Sequence, residues 1–318
     1  MKLTDDVVMR RALVTGSIVG CLALGAAAGP VLSEVEAQFR ARVDLVTVGV
    51  TVTDRRGGFI TDLTRDDFEI LEDGRRQAIA SFARGDGGAE APPLHLGLLF
   101  DTSGSMGEDI KLARSAAIKF LNTIDDAVDV TLVDFDTEVR VAKYPPRDFA
   151  RMVERIRGRQ PGGWTAMYDA LGVYLDGAAE DEGRKILVLY TDGGDTRSTI
   201  SFGDVMTLVR ASDVTIHAVG FLENQPSSVR LAQRMRMTEI AETTGGQAFF
   251  PSVMKDVEAA YEKIVAQIRN QYTLGYTSTN TAQDGKWRRV EVRVTRPGLR
   301  NVRVQSRKGY FALYREAQ

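Results

Sequence analysis

The sequence predicts an α/β fold in which a doubly wound, mostly parallel sheet is accompanied by a small discontinuous all-β domain built from the two ends of the chain. Between residues 93 and 270, short apolar runs alternate with amphipathic helical segments. This is the pattern of a parallel sheet whose two faces are covered by helices. The segments before and after it alternate apolar and polar residues, which is typical of half-buried strands.

Residues 1–37 predict a signal peptide. Arg10 and Arg11 precede an uncharged apolar run over 12–28, which is the order of charge and hydrophobicity in a secretory signal. The small residues Ala26-Ala27-Ala28 offer one cleavage point, and Val35-Glu36-Ala37 before Gln38 offers a second. Cys21 follows Ile-Val-Gly, which resembles a bacterial lipoprotein cleavage box, so lipidation of Cys21 and an uncleaved membrane anchor stay open as alternatives. We therefore expect an exported protein in the periplasm, in the cell envelope or outside the cell.

Residues 38–84 predict an N-terminal β segment. Valines at alternate positions from 46 to 52 give one apolar face to a strand over 43–53, because side chains alternate across a strand. A turn over 54–58, a short strand over 68–71, a second turn and a returning strand over 77–83 complete the segment. The stretch 85–92 is rich in Gly, Ala and Pro and predicts a linker.

Residues 93–270 predict the α/β domain. Its strands are predicted from apolar runs at 94–100, 128–135, 186–190, 214–219 and 248–250. Between and after them, helices over 110–124 and 256–270 carry apolar stripes at helical spacing. Ligands of such sheets bind in the loops at the carboxyl ends of the strands.

Residues 271–318 return to β structure. The segment 287–295 alternates valines with charged residues, Pro297-Gly298 predicts a turn, and 301–305 predicts a further strand. Two or three strands alone are marginally stable. We therefore expect this tail to pair with the N-terminal β segment.

Hard oxygen donors occur in three pieces of the α/β domain. Asp101, Ser103 and Ser105 follow its first apolar strand at alternate positions, Thr165 follows a loop that contains a Gly-Gly pair, and Asp192 follows its third strand. Carboxylate and hydroxyl oxygens suit Mg²⁺, Mn²⁺ or Ca²⁺ and discriminate against zinc and copper. The three pieces therefore predict a divalent-metal site.

The D-x-S-x-S run, the threonine after Gly-Gly and the later T-D-G resemble the metal-ion-dependent adhesion site of von Willebrand factor type A domains, and the resemblance covers about residues 93–270. It implies a Rossmann-like fold. It also implies that a divalent cation, Mg²⁺ or else Mn²⁺ or Ca²⁺, is held directly or through water by Asp101, Ser103, Ser105, Thr165 and Asp192. In that family an Asp or Glu of a partner protein fills the open coordination position. Asp195 lies outside the matched set.

The wider layout also carries a resemblance. With VDLVTV at 43–48 and RKGYFA at 307–312, the chain is similar to a bacterial group of exported proteins related to the same family. This similarity implies the fold and export, and it supplies no ligand.

Composition argues against a nucleic-acid partner. Lys plus Arg number 41 and Asp plus Glu 43, so the net charge of −2 gives no general attraction to polyanions. Basic residues at alternate positions between 286 and 308 are typical of a solvated strand face. Cys21 is the only cysteine of the chain, so the folded part is expected to contain no disulfide.

Three further side chains have two readings each. Trp164 would lie on the rim of the metal site, where it either anchors a partner or packs on a neighbouring helix. Asp134 and Asp136 either extend the metal site or, as we favour, end a strand and stabilise its turn.

An enzyme is not expected. Ser103-Gly-Ser105 lacks the first glycine of a nucleophile elbow, and His95 and His217 lie within apolar strand runs, where a core role is predicted for them. We therefore predict an adhesion-type protein-binding module. Two alternatives are a metal-dependent hydrolase, whose turnover would depend on Asp101, and a structural envelope component in which a metal only stabilises the sheet.

Overall fold

The computed structural model describes residues 45–85, 92–124, 126–312 and 314. The predicted signal peptide and Cys21 lie outside the described residues. The described residues all belong to one unit, 44–318. None of the helices within these ranges is long and apolar enough to cross a membrane.

The first four strands come from the N-terminal segment. They are β1 (Leu45–Thr53), β2 (Phe68–Glu72), β3 (Arg75–Gln77) and β4 (Ile79–Arg84). Asp54 makes the predicted turn after β1, because its Oδ1 accepts hydrogen bonds from the backbone N–H groups of Arg56 and Gly58, both at 2.8 Å. The predicted return strand is divided into β3 and β4.

The central sheet has six strands in the order β10-β9-β8-β5-β6-β7. Its strands are β5 (Leu94–Asp101), β6 (Ala127–Phe135), β7 (Val139–Tyr144), β8 (Arg184–Thr191), β9 (Thr215–Gly220) and β10 (Ala248–Phe249). Neighbouring strands are parallel except for β7, which pairs antiparallel with β6 at one edge. The mostly parallel sheet predicted from the apolar runs is thereby confirmed.

Helices cover both faces of this sheet, as predicted for a doubly wound fold. They are α1 (Ile110–Leu121), α2 (Phe149–Gly158), α3 (Met167–Ala178), α4 (Phe202–Ala211), α5 (Ser227–Thr243) and α6 (Met254–Arg269). One apolar core joins the sheet to α1, α2 and α6, and another joins it to α3, α4 and α5. At Gly97 in β5 a Cβ atom would lie 2.3 Å from the ring of Tyr174, so only glycine lets α3 pack this closely.

The C-terminal strands are β11 (Tyr272–Thr277), β12 (Trp287–Val294), β13 (Arg303–Ser306) and β14 (Gly309–Phe311). They join the N-terminal strands in two four-stranded sheets, β13-β1-β11-β4 and β14-β12-β2-β3. The two sheets share one apolar core, which includes Val50, Ile70 and Tyr272. The predicted pairing of the two chain ends is therefore confirmed, although the exact domain boundaries stay a prediction.

A buried carboxylate fastens the two chain ends together. Glu72 of β2 is 2 % exposed and accepts hydrogen bonds from the hydroxyls of Tyr276 and Tyr310, each at 2.8 Å, and from Ser278. Three donors satisfy the buried charge, as burial requires.

Candidate metal centre

Asp101 ends β5 at the carboxyl edge of the sheet, and its side chain is completely buried. Its Oδ1 accepts a hydrogen bond from the backbone N–H of Ser103 at 2.8 Å. Its Oδ2 accepts one from the hydroxyl of Thr191, the last residue of β8, at 2.6 Å. The carboxylate therefore fixes both the loop that follows it and the end of the neighbouring strand.

Ser103 and Ser105 lie in the loop after Asp101. Ser103 is buried, Ser105 is exposed at the start of a short 3-10 helix, and their hydroxyl oxygens are 3.1 Å apart. The alternate spacing read from the sequence thus places the two hydroxyls side by side, with Ser105 toward solvent.

The loop that carries Thr165 is tied to the Asp101 loop through backbone groups. The N–H of Gly162 donates to the carbonyl of Thr102 at 2.9 Å, and the N–H of Gly104 donates to the carbonyl of Gly163 at 3.1 Å. Thr165 itself is 3 % exposed, and its hydroxyl makes no hydrogen bond to the described parts of the protein. The hydroxyl of this largely buried residue is therefore available to a ligand.

Gly163 gives this loop a conformation that other residues rarely adopt. Its φ is +74°, and a Cβ atom there would lie 2.5 Å from Oγ1 of Thr137. The same Thr137 hydroxyl accepts a hydrogen bond from the N–H of Trp164 at 2.9 Å. The turn that follows β6 therefore holds the loop in place immediately before Thr165.

Asp192 follows β8 and is 1 % exposed. Its Oδ1 accepts a hydrogen bond from the N–H of Gly194 at 3.3 Å, and its Oδ2 accepts one from the side-chain amide of Gln225 at 3.0 Å. Nothing in the sequence around Gln225, in the loop between β9 and α5, indicates this contact.

The electrostatics of the site fit a divalent cation. Burial, together with the negative charge of Asp192, raises the pKa of Asp101 to about 7. Asp109, which sequence reasoning missed, is close enough that burial and then the charge of Asp192 raise its pKa as well. Across the described residues, no Lys, Arg or His forms an ion pair with Asp101 or Asp192. Buried charges need a counter-charge, and the donors present are the hard oxygens that Mg²⁺, Mn²⁺ and Ca²⁺ prefer.

The family model for the von Willebrand factor type A domain matches residues 95–267, which is more than half of the chain. The chain belongs to this family. No curated protein matches the chain.

Several solved structures are similar to this chain. A von Willebrand factor type A protein from Catenulispora acidiphila is 12 % identical, with 80 % of this chain and 76 % of that chain covered and a TM-score of 0.47. The pilus adhesin SpaC from Lactobacillus rhamnosus GG is 11 % identical, with 82 % and 49 % covered and a TM-score of 0.49. The von Willebrand domain of the type V pili tip protein Mfa5 from Porphyromonas gingivalis is 12 % identical, with 57 % and 98 % covered and a TM-score of 0.44. Identities this low carry no conclusion about activity.

Two other carboxylates near the edge of this type A domain have structural roles. Asp195 accepts hydrogen bonds from the N–H of Tyr168 at 3.0 Å and from the hydroxyl of Ser198 at 2.6 Å, so it fastens the start of α3. Asp136 accepts two hydrogen bonds from Arg140, at 2.8 and 2.9 Å. Asp136 therefore stabilises the turn after β6, which is the reading that we favoured.

Asp134 has a larger role than ending a strand. It is 1 % exposed, and three arginines surround it: Arg155 of α2 at 2.6 Å, Arg159 at 2.8 Å and Arg140 of β7 at 3.5 Å. Because Arg159 begins the loop that leads to Thr165, this cluster anchors that loop at its start.

Trp164 is the most exposed aromatic side chain beside the candidate site, at 63 %. Its backbone N–H is held by Thr137, while its ring makes no aromatic contact with another described residue. Its exposure argues against the reading in which Trp164 packs on a neighbouring helix, and its role as an anchor stays a prediction.

The two histidines differ from each other. His217 is 1 % exposed, and burial lowers its pKa to about 4, so it has the predicted core role. His95 differs from the core prediction. Its Nδ1 lies 3.0 Å from a carboxylate oxygen of Asp129 and its Nε2 lies 3.1 Å from the carbonyl oxygen of Glu182. Because His95 is the second residue of β5, its ring reaches the polar amino-terminal edge of the sheet. The hydrogen-bond partners of His95 and His217 among the described residues include no serine.

Proposed function

We propose that the chain is an exported, metal-dependent protein-binding module. Asp101, Ser103, Ser105, Thr165 and Asp192 hold a divalent cation, directly or through water, and an Asp or Glu of a partner protein completes its coordination. The observation that carries this proposal is the pair of buried carboxylates, Asp101 and Asp192, at one edge of the sheet, neither of which pairs with a cationic side chain of the described residues.

The donor set supports the choice of metal. Two carboxylates are sufficient to neutralise one divalent cation, and three hydroxyls add uncharged oxygens. Mg²⁺ requires near-octahedral geometry and keeps several waters, so a position stays open for an incoming carboxylate. When bound, the cation supplies the electrostatic attraction for that carboxylate, and the protein residues fix its position.

We use the exposure of the side chains at the site to propose the direction from which the partner approaches. Among the five residues, Ser105 is the exposed one, and Trp164 lies exposed directly before Thr165. Large aromatic side chains at the rim of a binding site are frequent anchors of protein interfaces. We therefore place the partner's acidic residue near Ser105 and an apolar group of the partner against Trp164.

Export rests on the sequence alone. The charged and apolar order of residues 10–28 is that of a secretory signal. Membrane association is proposed only through this segment or through lipid at Cys21. No reaction is proposed, because neither histidine is placed to act as a base beside Ser103 or Ser105.

Calorimetric titration of Mg²⁺, Mn²⁺ and Ca²⁺ into the full chain tests the metal. Asp101→Asn and Asp192→Asn should abolish saturable binding. Asp195→Asn, three residues further along the same loop, should keep it, because the hydrogen bonds of Asp195 to described residues go to the start of α3 and to the loop before α4. Thermal melting of each variant in EDTA shows whether it is folded. Equal affinity in the parent and in folded Asp101→Asn would refute the metal site.

Selection from a random peptide library displayed on phage tests the partner chemistry. Peptides retained with Mg²⁺ and released by EDTA should contain Asp or Glu, and Trp164→Ala should weaken their binding. If Mg²⁺ stabilises the protein but no peptide is retained, the result would favour the alternative of a structural envelope component in which the metal only stabilises the sheet. Peptides that lack acidic residues but still depend on Mg²⁺ would refute coordination by the partner.

A further inference from the structure

A second polar site lies on the outer face of α1, away from the candidate metal residues. It is a surface pocket of about 560 Å³. Its lining includes Lys111, Arg114, Ser115, Lys119, Asn122 and, from the last turn of α2, Arg157. Four of these residues are cationic, and no Asp or Glu of the described chain lines the pocket.

The pocket follows from the spacing of residues on α1. Lys111, Arg114, Ser115 and Lys119 recur at intervals of three and four residues, so they share one face of the helix. Ala113, Ala117 and Phe120, on the opposite face, are buried in the core of the domain. The helix therefore has one apolar face and one cationic face.

Arg114 has unsatisfied hydrogen-bond donors. Its Nε and Nη2 atoms are buried and have no hydrogen-bond partner among the described residues. These two nitrogens lie on the same edge of the guanidinium and form the fork that binds a carboxylate or phosphate through two parallel hydrogen bonds. A buried donor without an acceptor is costly, so a rotation of the Arg114 side chain that turns this fork toward an oxyanion in the pocket would stabilise the complex.

The other cations of the pocket are available to a ligand. Lys111 forms no ion pair with any described residue. Lys119 pairs with Glu258 at 2.9 Å and Arg157 with Glu154 at 2.8 Å, but the side chains of both pairs are about half exposed or more. Exposed pairs of this kind contribute little free energy. Both cations can therefore turn toward an anion in the pocket.

We propose that this pocket binds a small, elongated molecule with at least two phosphate groups. Lys111 and Lys119 are eight residues apart on α1, which is about 12 Å along the helix axis, so the cations of the pocket are spread over a length that suits more than one phosphate group. A phosphate offers three acceptor oxygens, which suits a site that adds the Ser115 hydroxyl and the Asn122 amide to its cations.

Titration of the full chain with tripolyphosphate tests the proposal. EDTA is present throughout and the ionic strength is constant, because tripolyphosphate also chelates divalent cations. The parent should bind one equivalent, and Arg114→Gln should weaken binding about tenfold or more, since it removes a charge-assisted fork. Lys111→Gln, at an exposed position that does not support the core, should also weaken it. Inorganic phosphate should bind more weakly than tripolyphosphate.

Matched controls separate a site from general charge attraction. Lys255→Gln and Lys263→Gln remove exposed cations of α6 that do not line the pocket, and they should leave the affinity unchanged. Loss of affinity equal to that of Lys111→Gln, absence of binding in the parent, or equal affinity for citrate would each overturn the proposal. Vesicles that contain cardiolipin, whose headgroup carries two phosphates, identify the source: binding that requires Arg114 indicates a lipid headgroup, and binding of tripolyphosphate alone indicates a soluble phosphate compound.

Discussion

The side-chain amide of Gln225 donates a hydrogen bond to Oδ2 of Asp192 over 3.0 Å and so links the loop after β9 to the proposed metal site. The carboxylate of Asp192 has its other oxygen on the N–H of Gly194. The two hydrogen bonds together fix how the carboxylate faces the site. Groups that orient a metal ligand in this way contribute to metal affinity without touching the metal.

We predict that Gln225→Ala weakens Mg²⁺ or Mn²⁺ binding by about tenfold, while the melting temperature in EDTA changes little. Asn224→Ala is the matched control, because Asn224 lies in the same loop but donates to Asp109 at 3.2 Å. Calorimetric titration of both variants measures the difference. An identical effect of the two substitutions would show that the loop as a whole matters and not the contact with Asp192.

Gly163→Ala should destabilise the domain by about 2 kcal/mol, because a left-handed backbone costs about 1–2 kcal/mol for a residue with a Cβ and the new atom would also meet Thr137. Gly162→Ala is the matched control, since its Cβ would meet nothing within 4 Å. Urea unfolding of both variants compares them. A stability of Gly163→Ala equal to that of Gly162→Ala would contradict the strained geometry of the loop.

The sequence was sufficient for the parts of the fold that depend on local pattern. The apolar runs that end at Phe100 and Tyr190 predicted β5 and β8, because buried parallel strands are continuously apolar. Since the carboxyl ends of parallel strands lie at one edge of the sheet, the same reasoning placed Asp101 and Asp192 near each other. It could not place Gln225, whose contact with Asp192 spans 33 residues and depends on the path of one loop.

Charged residues were harder to assign than apolar ones. The VDFDTE sequence around Asp134 is what a strand end followed by a turn looks like, and β6 does end there. The role of Asp134 depends on Arg155 and Arg159, which reach it from α2 and from the loop beyond. His95 was assigned to the core because its neighbours in sequence are apolar, yet it is the second residue of β5, where side chains reach the polar edge. A sequence pattern does not show which residues of a strand lie beyond the apolar core, at the polar edge of the sheet.

Asp134→Asn should destabilise the protein by about 3 kcal/mol, because it leaves Arg155 and Arg159 without their buried counter-charge, while Arg140 keeps its contact with Asp136. Metal affinity should also fall, since Arg159 begins the loop that carries Thr165. Glu138→Gln provides the comparison: Glu138 pairs with the same Arg140 at 3.2 Å, but its side chain is 75 % exposed, so its loss should change stability by less than about 1 kcal/mol. Urea unfolding and metal titration measure the two effects. Normal stability of Asp134→Asn would mean that the arginines are sufficiently solvated without it.

His217 makes the stability of the domain depend on pH. Burial lowers its pKa from 6.5 to about 4, so between these values the unfolded chain binds a proton that the folded chain excludes. Its contribution to stability is therefore complete above pH 6.5, is lost as the pH falls toward 4, and amounts to about 3 kcal/mol at 1.36 kcal/mol per pKa unit. The raised pKa of Asp101 acts in the opposite sense over an overlapping range in metal-free protein.

The effect of His217 must therefore be measured by comparing two proteins that both contain Asp101, so that the effect of Asp101 on the unfolding free energy cancels. His217→Gln keeps an acceptor for the N–H of Gln247, which donates to Nδ1 of His217 at 3.3 Å, and cannot be protonated. Urea unfolding of parent and variant in EDTA from pH 7.5 to 4.5 gives two curves of unfolding free energy. Their difference should change by roughly 2 to 3 kcal/mol in favour of the variant as the pH falls. Parallel curves would show that the folded protein accommodates the imidazolium, and His217 would then not be a neutral core residue.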